Sequence, residues 1–310
     1  MITRRNIRIK VMQVLYQIDI NEGLTNNNTT KILQSNLKQT SRLFTYLIYF
    51  LTEVARYAEK DASVRAAKHL ATSADKNINI KLAGNTLLWK ILENNSYKQA
   101  LAEYKFNFEQ TGNLVRKIYN ELTASSQYQL YINTSGREPQ AEKGILSFIF
   151  TDLMLPDESF VSHIEEYFTN WDDDGEMLNT LMLSFLQKPA SLDLQQMPDK
   201  EKDEFAKELL RTVIEKKDYV NSLIKARLKN WDPERIAALD MILMQMGVCE
   251  FLYFPTIPPK VTINEYIDLA KEYSTAQSGH FVNGILDSIH KDLLKEDKIQ
   301  KSEFKPKKAN

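Results

Sequence analysis

Cysteine is nearly absent from this chain of 310 residues, in which Cys249 is the single example. A disulfide within the chain needs two cysteines, and a zinc site built from cysteine side chains needs more than one, so the sequence excludes both. Glycine and proline are also scarce, with nine of each. Because β-sandwiches and barrels need frequent turn residues, this composition predicts an all-α protein.

Net charge is nearly absent as well, since 40 Lys and Arg residues stand against 41 Asp and Glu residues. A chain of this kind is not basic as a whole, so a surface that binds nucleic acid must be local. Hydrophobic residues make up 43% of the chain, which is enough for a substantial core. At roughly 150 residues per domain, the length predicts two domains.

No segment is apolar enough for a signal peptide or a membrane span. The chain begins with the charged segment MITRRNIRIK, where a signal peptide would carry an apolar stretch. The longest apolar run, Leu43 to Leu51, is far shorter than the roughly 18 apolar residues that span a bilayer. The sequence therefore predicts a cytoplasmic protein with no membrane association, in which this run is a buried helix.

Helical periodicity covers most of the chain. Thr3 is a candidate N-cap for a first helix that continues to about Ile20, with apolar residues on one face and arginines on another. A break is predicted at Thr111–Asn113, between two of the later helices. The other predicted helices are Leu43–Ala62, Asn85–Glu109, Leu114–Leu122, Asp203–Glu215, Tyr219–Trp231, one that restarts at Asp232 and Pro233 and continues towards Leu252, one capped by Thr262 or Asn264 that ends near Tyr273, and one from Ser278 to about Lys291.

The residues give little indication of catalysis. Four histidines are scattered along the chain, and His280 and His290 do not have the i, i+4 spacing of a helical zinc site. The sequence has no phosphate-binding loop, no dinucleotide fingerprint and no nucleophile elbow. It therefore predicts a protein that is not an enzyme and has no catalytic residues, no metal and no cofactor.

Three arginines mark the start of the first predicted helix. Arg4, Arg5 and Arg8 precede the first acidic residue, Asp19. A helix N-terminus offers free N–H groups and a positive dipole end, and guanidinium groups bind phosphates or stack on bases. Taken alone, the pattern leaves two interpretations open, which are a phosphate-binding patch and a basic N-terminus without a ligand.

Two further segments extend this pattern. Arg4-Arg5-Asn6-Ile7-Arg8 is followed by Met12-Gln13-Val14-Leu15-Tyr16. Near the C-terminus, IPPKVTINEYIDLAK spans residues 257–271 and SGHFVNGILD spans residues 278–287. These segments resemble the NusB family of bacterial transcription antitermination factors, whose pattern is an arginine-rich first helix ending in QALY, then VPxKVAINEAVELAK and FVNGVLD. Residues 205–250 resemble the middle helices of the family.

The resemblance implies a discontinuous domain. It predicts a NusB-like helical bundle built from residues 1–22 and 198–296, with residues 23–197 as a helical insertion, because family members are much shorter than this chain. Residues 297–310 are rich in lysine and poor in apolar residues, which predicts a disordered basic tail. Within the last helix, Gly284 is expected to allow a close approach between helices.

The resemblance also implies a function. NusB proteins bind the boxA element of nascent ribosomal RNA together with NusE, a small-subunit ribosomal protein, in a complex that helps RNA polymerase avoid premature termination. Similarity assigns RNA contacts to the first and last helices and NusE contacts to three other positions. The RNA contacts are Arg4, Arg5, Asn6, Arg8, Gln277, Ser278, His280 and Phe281, and the NusE contacts are Tyr16, Glu234 and Asp240.

The individual residues leave several points open. Phe281 is equally compatible with base stacking and with the helix core, and Tyr16 is also typical of a half-buried helix residue. Met241, Gln245 and His280 replace cations that the family usually carries, which favours weaker RNA binding. Whether the chain forms a homodimer is left open.

Two alternative functions remain at this stage. One is a helical protein-interaction scaffold that binds no RNA. The other is a NusB-like accessory to ribosomal RNA modification, because a NusB-like domain precedes the catalytic domain of certain cytosine methyltransferases. That activity needs an α/β cofactor domain and a catalytic cysteine, whereas Cys249 lies within the helical motif. RNA binding with a steep salt dependence would distinguish the antitermination factor from the scaffold.

Overall fold

The structure is a computed structural model that describes residues 2–21, 26–67, 69, 72, 79–189, 192–228, 236–299 and 301. Over these ranges it contains fourteen α-helices, one π-helical segment, one 3-10 segment and no β-strand, which confirms the all-α prediction. None of the helices in this part of the chain has the length and apolar character needed to cross a bilayer.

The helices are numbered in chain order. The first nine are α1 (Arg4–Ile20), α2 (Asn26–Ala66), α3 (Thr86–Glu93), α4 (Asn95–Tyr104), α5 (Phe108–Ala124), α6 (Ser126–Asn133), α7 (Pro139–Phe148), α8 (Glu158–Tyr167) and α9 (Trp171–Gln187). The π-helical segment Ile149–Met154 continues α7. After the 3-10 segment Leu194–Gln196 come α10 (Lys200–Glu215), α11 (Lys217–Lys225), α12 (Ala238–Tyr253), α13 (Pro259–Tyr273) and α14 (Ser278–Lys295).

The chain divides into two compact units. The inserted unit is Lys38–Pro198, and the discontinuous unit combines Ile2–Leu37 with Asp199–Asn310. The division at the N-terminal side falls inside α2, between Leu37 and Lys38, whereas the sequence pattern places it at residue 23. The first turns of α2 therefore group with the discontinuous unit.

Helix α12 is the centre of the discontinuous unit. Every residue from Ile242 to Phe251 is buried, and the helix packs against α1, α10, α11, α13 and α14. A helix that is enclosed on all sides needs apolar residues all round, which explains the sequence MILMQMGVCEFL. The charged exception, Glu250, is fully buried and needs partners from the surrounding helices.

Helix α1 begins where the sequence predicts but does not have two separate faces. Thr3 is its N-cap, and the helix ends at Ile20. All seven residues from Asn6 to Met12 are buried, so the core surrounds this part of the helix. The three arginines predicted to share a face differ in burial, because Arg8 is 2% exposed whereas Arg4 and Arg5 are partly exposed.

In the inserted unit, some helix boundaries differ from the predicted ones because polar residues cap the helices. Leu43 to Leu51 is a buried stretch of α2, as the apolar run predicts. The single helix predicted over Asn85–Glu109 is wrong, because the Asn94 side chain accepts hydrogen bonds from two backbone N–H groups and starts α4. Lys105 then ends α4 in the left-handed conformation, with φ 49°. The break predicted at Thr111–Asn113 lies inside α5.

The C-terminal boundaries also differ in part. Helix α11 ends at Lys225, short of the predicted Trp231, and residues 229–235 lie outside the described ranges. Helix α13 begins at Pro259, which suits the first position of a helix because proline has no N–H to leave unpaired. Neither Thr262 nor Asn264 caps it. Helix α14 begins at Ser278, as predicted. The tail predicted to be disordered begins with ordered residues, since Lys301 donates to the backbone oxygens of Glu250 and Phe254 at 2.7 and 2.8 Å; residues from 302 onwards lie outside the described ranges.

Gly284 does not mediate a close helix contact. It is exposed, and a Cβ added to it would meet nothing within 4 Å. The close approach occurs instead at Gly247 on α12, where an added Cβ would lie 2.9 Å from a terminal carbon of Leu286. The apolar stripe on α14 is nevertheless present, since Val282, Leu286 and Ile289 are buried.

Candidate nucleic-acid interface

Arg8 is the buried anchor of α1. Its Nε and Nη2 atoms donate to the two carboxylate oxygens of Glu250 at 2.8 and 3.1 Å, and Nη1 donates to Glu265 at 3.3 Å. The Arg8 side chain is 3% exposed and that of Glu250 is 0% exposed. Burial lowers the pKa of Arg8, but Tyr266 and Glu250 raise it by more, so the guanidinium is held in its charged form.

Two hydroxyl groups complete the environment of Glu250. Thr262 donates to one carboxylate oxygen at 2.9 Å, and Tyr266 donates to the other at 2.8 Å. Burial, followed by the charge of Glu250, raises the pKa of Tyr266 well above its ordinary value, so its hydroxyl keeps its proton. The carboxylate therefore accepts four hydrogen bonds and ties α1 and α13 to α12. A buried ion pair is tolerated only when its groups are bonded in this way.

Arg4 and Arg5 lie at the exposed start of α1. About a third of each side chain is exposed, 39% for Arg4 and 35% for Arg5. Arg4 Nη2 lies 2.6 Å from a carboxylate oxygen of Glu201 on α10, and Arg5 Nη2 lies 2.7 Å from Glu272 on α13. The Arg4 guanidinium also lies 5.5 Å from the ring centroid of Phe205. Each arginine retains further N–H groups that can bind an anion.

Asn6 forms part of the N-cap of α1. It is 5% exposed, and its side-chain oxygen accepts a hydrogen bond from the Thr3 hydroxyl at 2.5 Å. The Thr3 oxygen in turn accepts the Asn6 backbone N–H at 3.2 Å. This N-cap fixes the first turn of α1, and with it the backbone positions of Arg4 and Arg5.

The predicted residues at the start of α14 divide into buried and exposed positions. Ser278 is 2% exposed and donates to Asp240 at 2.8 Å, so a predicted RNA contact and a predicted NusE contact bond to each other inside the discontinuous unit. Gln277 and His280 are exposed, and Phe281 is partly exposed. This end of α14 therefore presents Gln277, His280 and one edge of Phe281.

The last turn of α13 lies between the exposed arginines of α1 and the start of α14. Glu272 contacts Arg5, and the neighbouring Lys271 lies against Gly279, where an added Cβ would be 2.7 Å from Lys271 Cγ. Glycine at this position lets the lysine stem cross the start of α14. The structure thus connects the basic end of α1 to the start of α14 through two consecutive residues of α13.

The two predicted partner residues that the structure describes differ in exposure. Tyr16 is 39% exposed on α1, whereas Asp240 is 6% exposed on α12. Glu234 lies outside the described residues. Exposed apolar side chains do accompany Tyr16, because Ile20 lies one turn further along α1 and is 60% exposed.

Sequence reasoning missed three charged residues of this surface. Lys271 ends a motif that indicates a helix, and no motif in the sequence includes Glu201 or Glu272. No local pattern in the sequence identifies an acid that pairs with an arginine almost 200 residues away. Lys271, by contrast, lies within the motif at residues 257–271. Among the residues that the structure describes, no group of His, Cys, Asp and Glu is arranged to hold a metal ion.

The sequence model of the NusB family matches residues 166–291 of the chain. The transcription antitermination protein NusB of Desulfatibacillum aliphaticivorans is 45% identical over 104 residues, which cover 34% of this chain and 73% of that protein. The protein of the same name from Methylacidiphilum infernorum is 37% identical over 130 residues, 42% of this chain and 86% of that protein. A solved structure of T. maritima NusB is 34% identical and covers 34% of this chain and 80% of its own, with a TM-score of 0.30.

The family model and the relatives place this all-helical chain in the transcription antitermination class. The relatives carry that name, and the chain covers most of their length at substantial identity. The chain belongs to the NusB family, which confirms the resemblance. The segment shared with the Desulfatibacillum protein covers 34% of this chain.

Proposed function

We propose that this protein binds single-stranded boxA-type RNA together with NusE and acts as an antitermination factor for RNA polymerase. The observation that carries the proposal is the pair of exposed guanidiniums, Arg4 and Arg5, at the start of a helix whose next turn is anchored by Arg8 in the core. Guanidinium groups on a rigid element bind phosphates with little loss of side-chain order.

The proposed RNA surface extends from α1 to the start of α14. Lys271 adds a cation beside Gly279, while His280 and Phe281 offer rings for stacking on unpaired bases. Gln277 offers an exposed amide that can hydrogen-bond to a base edge. Asn6, Arg8 and Ser278 support this surface from inside, since each is buried and hydrogen-bonded.

The proposed NusE surface is centred on Tyr16. A tyrosine with an exposed ring and hydroxyl suits a protein partner, and Ile20 adds apolar area beside it. The ion pair between Asp19 and Lys217, at 3.5 Å, brings the start of α11 and its exposed Tyr219 to the same region. In this proposal Asp240 acts indirectly, by holding Ser278.

The test is fluorescence anisotropy of a labelled boxA-type RNA against the full chain over a salt series. The Arg4→Ala/Arg5→Ala variant should bind at least about 10-fold more weakly, and its log–log salt slope should be shallower by about 1.4, since each single-strand phosphate contact contributes roughly 0.7. Circular dichroism should report an unchanged fold, because both side chains lie at the surface.

The matched control removes two exposed cations elsewhere, in the Arg211→Ala/Lys225→Ala variant. It should retain the wild-type affinity and slope. Equal losses in both variants would indicate that overall charge governs binding. If the wild-type chain does not prefer boxA-type RNA to a scrambled RNA, with or without NusE, the proposed function is wrong and a protein scaffold becomes the better account.

A further inference from the structure

Each of the two exposed arginines at the start of α1 is already paired with an acid of the same chain. Arg4 contacts Glu201, whose side chain is 77% exposed, and Arg5 contacts Glu272, whose side chain is 47% exposed. In both pairs a single Nη2 atom makes the contact, at 2.6 and 2.7 Å. The two acids come from different helices, so the cationic end of α1 has a carboxylate on two sides.

We propose that Glu201 and Glu272 compete with RNA phosphates for Arg4 and Arg5, and thereby set the affinity and salt dependence of the RNA surface. A carboxylate and a phosphate oxygen accept the same guanidinium N–H groups. The inference rests on the proposed RNA binding at these arginines, and it adds two acids that regulate that site.

The geometry of the pairs makes them displaceable. A solvent-exposed ion pair contributes little, because water screens it and both long side chains lose freedom when it forms. The pair between Arg8 and Glu250 is different, since it is buried and uses two guanidinium nitrogens. RNA can therefore exchange with the acids at Arg4 and Arg5, whereas Arg8 stays in place.

The two carboxylates also act on RNA through their charge. While Glu201 and Glu272 remain beside the arginines, the start of α1 offers little net positive charge, and the exposed carboxylates repel the phosphate backbone. The need to displace the two carboxylates and their repulsion of the RNA phosphates both weaken RNA binding. Removing both negative charges should strengthen binding, most of all at low salt, where the ion pairs are screened least.

The experiment compares the wild-type chain with the Glu201→Gln/Glu272→Gln variant, using the labelled boxA-type RNA and a salt series. Glutamine keeps the shape of glutamate and removes its charge. The variant should bind about 3- to 20-fold more tightly at low salt, the range expected for two exposed pairs. Its log–log salt slope should be steeper than that of the wild-type chain, because salt weakens the competing ion pairs that the variant lacks. The gain should disappear when Arg4 and Arg5 are also changed to alanine.

The matched control is Asp203→Asn/Glu204→Gln. It removes the same number of charges, but these two acids of α10 contact Lys207 and Lys200, which lie outside the proposed RNA surface. The control should bind like the wild-type chain. A gain equal to that of Glu201→Gln/Glu272→Gln would overturn specific competition, since a general charge effect would then explain both.

The outcomes separate this inference from the proposed function. If wild-type RNA binding is measurable and Glu201→Gln/Glu272→Gln leaves it unchanged, competition is wrong while RNA binding stands. If only the variant binds, the acids hold the site closed and the inference is supported. If neither chain binds boxA-type RNA above a scrambled control, both proposals are overturned.

Discussion

Arg4, Arg5 and Arg8 have the same chemistry and close spacing, yet the fold gives them different positions. The residue that meets Arg8 is Glu250, 242 positions later in the chain, and no spacing in the sequence indicates that contact. The basic patch could therefore be predicted as a group, but its division into one structural and two exposed arginines could not. The same holds for Asp240 and Ser278, which bond to each other although sequence similarity assigns them to different partners.

At the residue scale, the structure predicts that the buried pair is essential for folding. The Glu250→Gln substitution leaves the buried Arg8 with only the partly exposed Glu265 as a counter-charge and should reduce the free energy of unfolding by about 3–5 kcal/mol. Urea denaturation followed by circular dichroism measures this loss. The control is Glu265→Gln, whose side chain is 28% exposed and lies 3.3 Å from Arg8. It should lose less than about 1 kcal/mol. Equal losses in the two variants would mean that burial does not set the strength of these contacts.

The elements were easier to predict than their ends. The apolar run in α2, the buried stripe of α14 and the N-cap at Thr3 are local patterns, and the structure contains all three. The breaks at Asn94 and Lys105 follow from single caps within otherwise helical sequence, which periodicity does not detect. Contacts between helices are harder still to predict from local patterns, because the role of a glycine depends on which helix packs against it.

At the element scale, two glycine substitutions should have opposite effects. Gly247→Ala would place a Cβ 2.9 Å from a Leu286 methyl group and 3.3 Å from the Tyr266 ring, inside the packed contact of α12 with α13 and α14. We expect it to lower the free energy of unfolding by about 1–3 kcal/mol, as overpacking does. Gly284→Ala points into open space and should raise it by up to about 1 kcal/mol, because alanine favours the helix.

Thermal or urea denaturation of both variants measures these changes. The wild-type chain is the common reference, and the two variants differ by the same single methyl group. A stabilising Gly247→Ala would show that α12 and its neighbours have room to adjust, and a destabilising Gly284→Ala would place this part of α14 against another element.

At the scale of the whole molecule, the family relationship accounts for only part of the chain. The matched relatives share 34–42% of it, and the candidate RNA surface lies in the discontinuous unit that contains α1 and α14. That unit could be predicted because its motifs keep their order on both sides of the insertion. The internal architecture of the inserted unit has no such motif, so composition and periodicity predict its helices but not its connections.

In the proposed function, the discontinuous unit binds a specific RNA sequence together with a protein partner. The most direct measurement is the ratio of dissociation constants for scrambled and boxA-type RNA, determined by anisotropy at one salt concentration with and without NusE. We predict that boxA-type RNA binds at least about 10-fold more tightly than the scrambled strand and that NusE increases this ratio, as base contacts specify while phosphate contacts do not. A ratio near one, unchanged by NusE, would contradict the account.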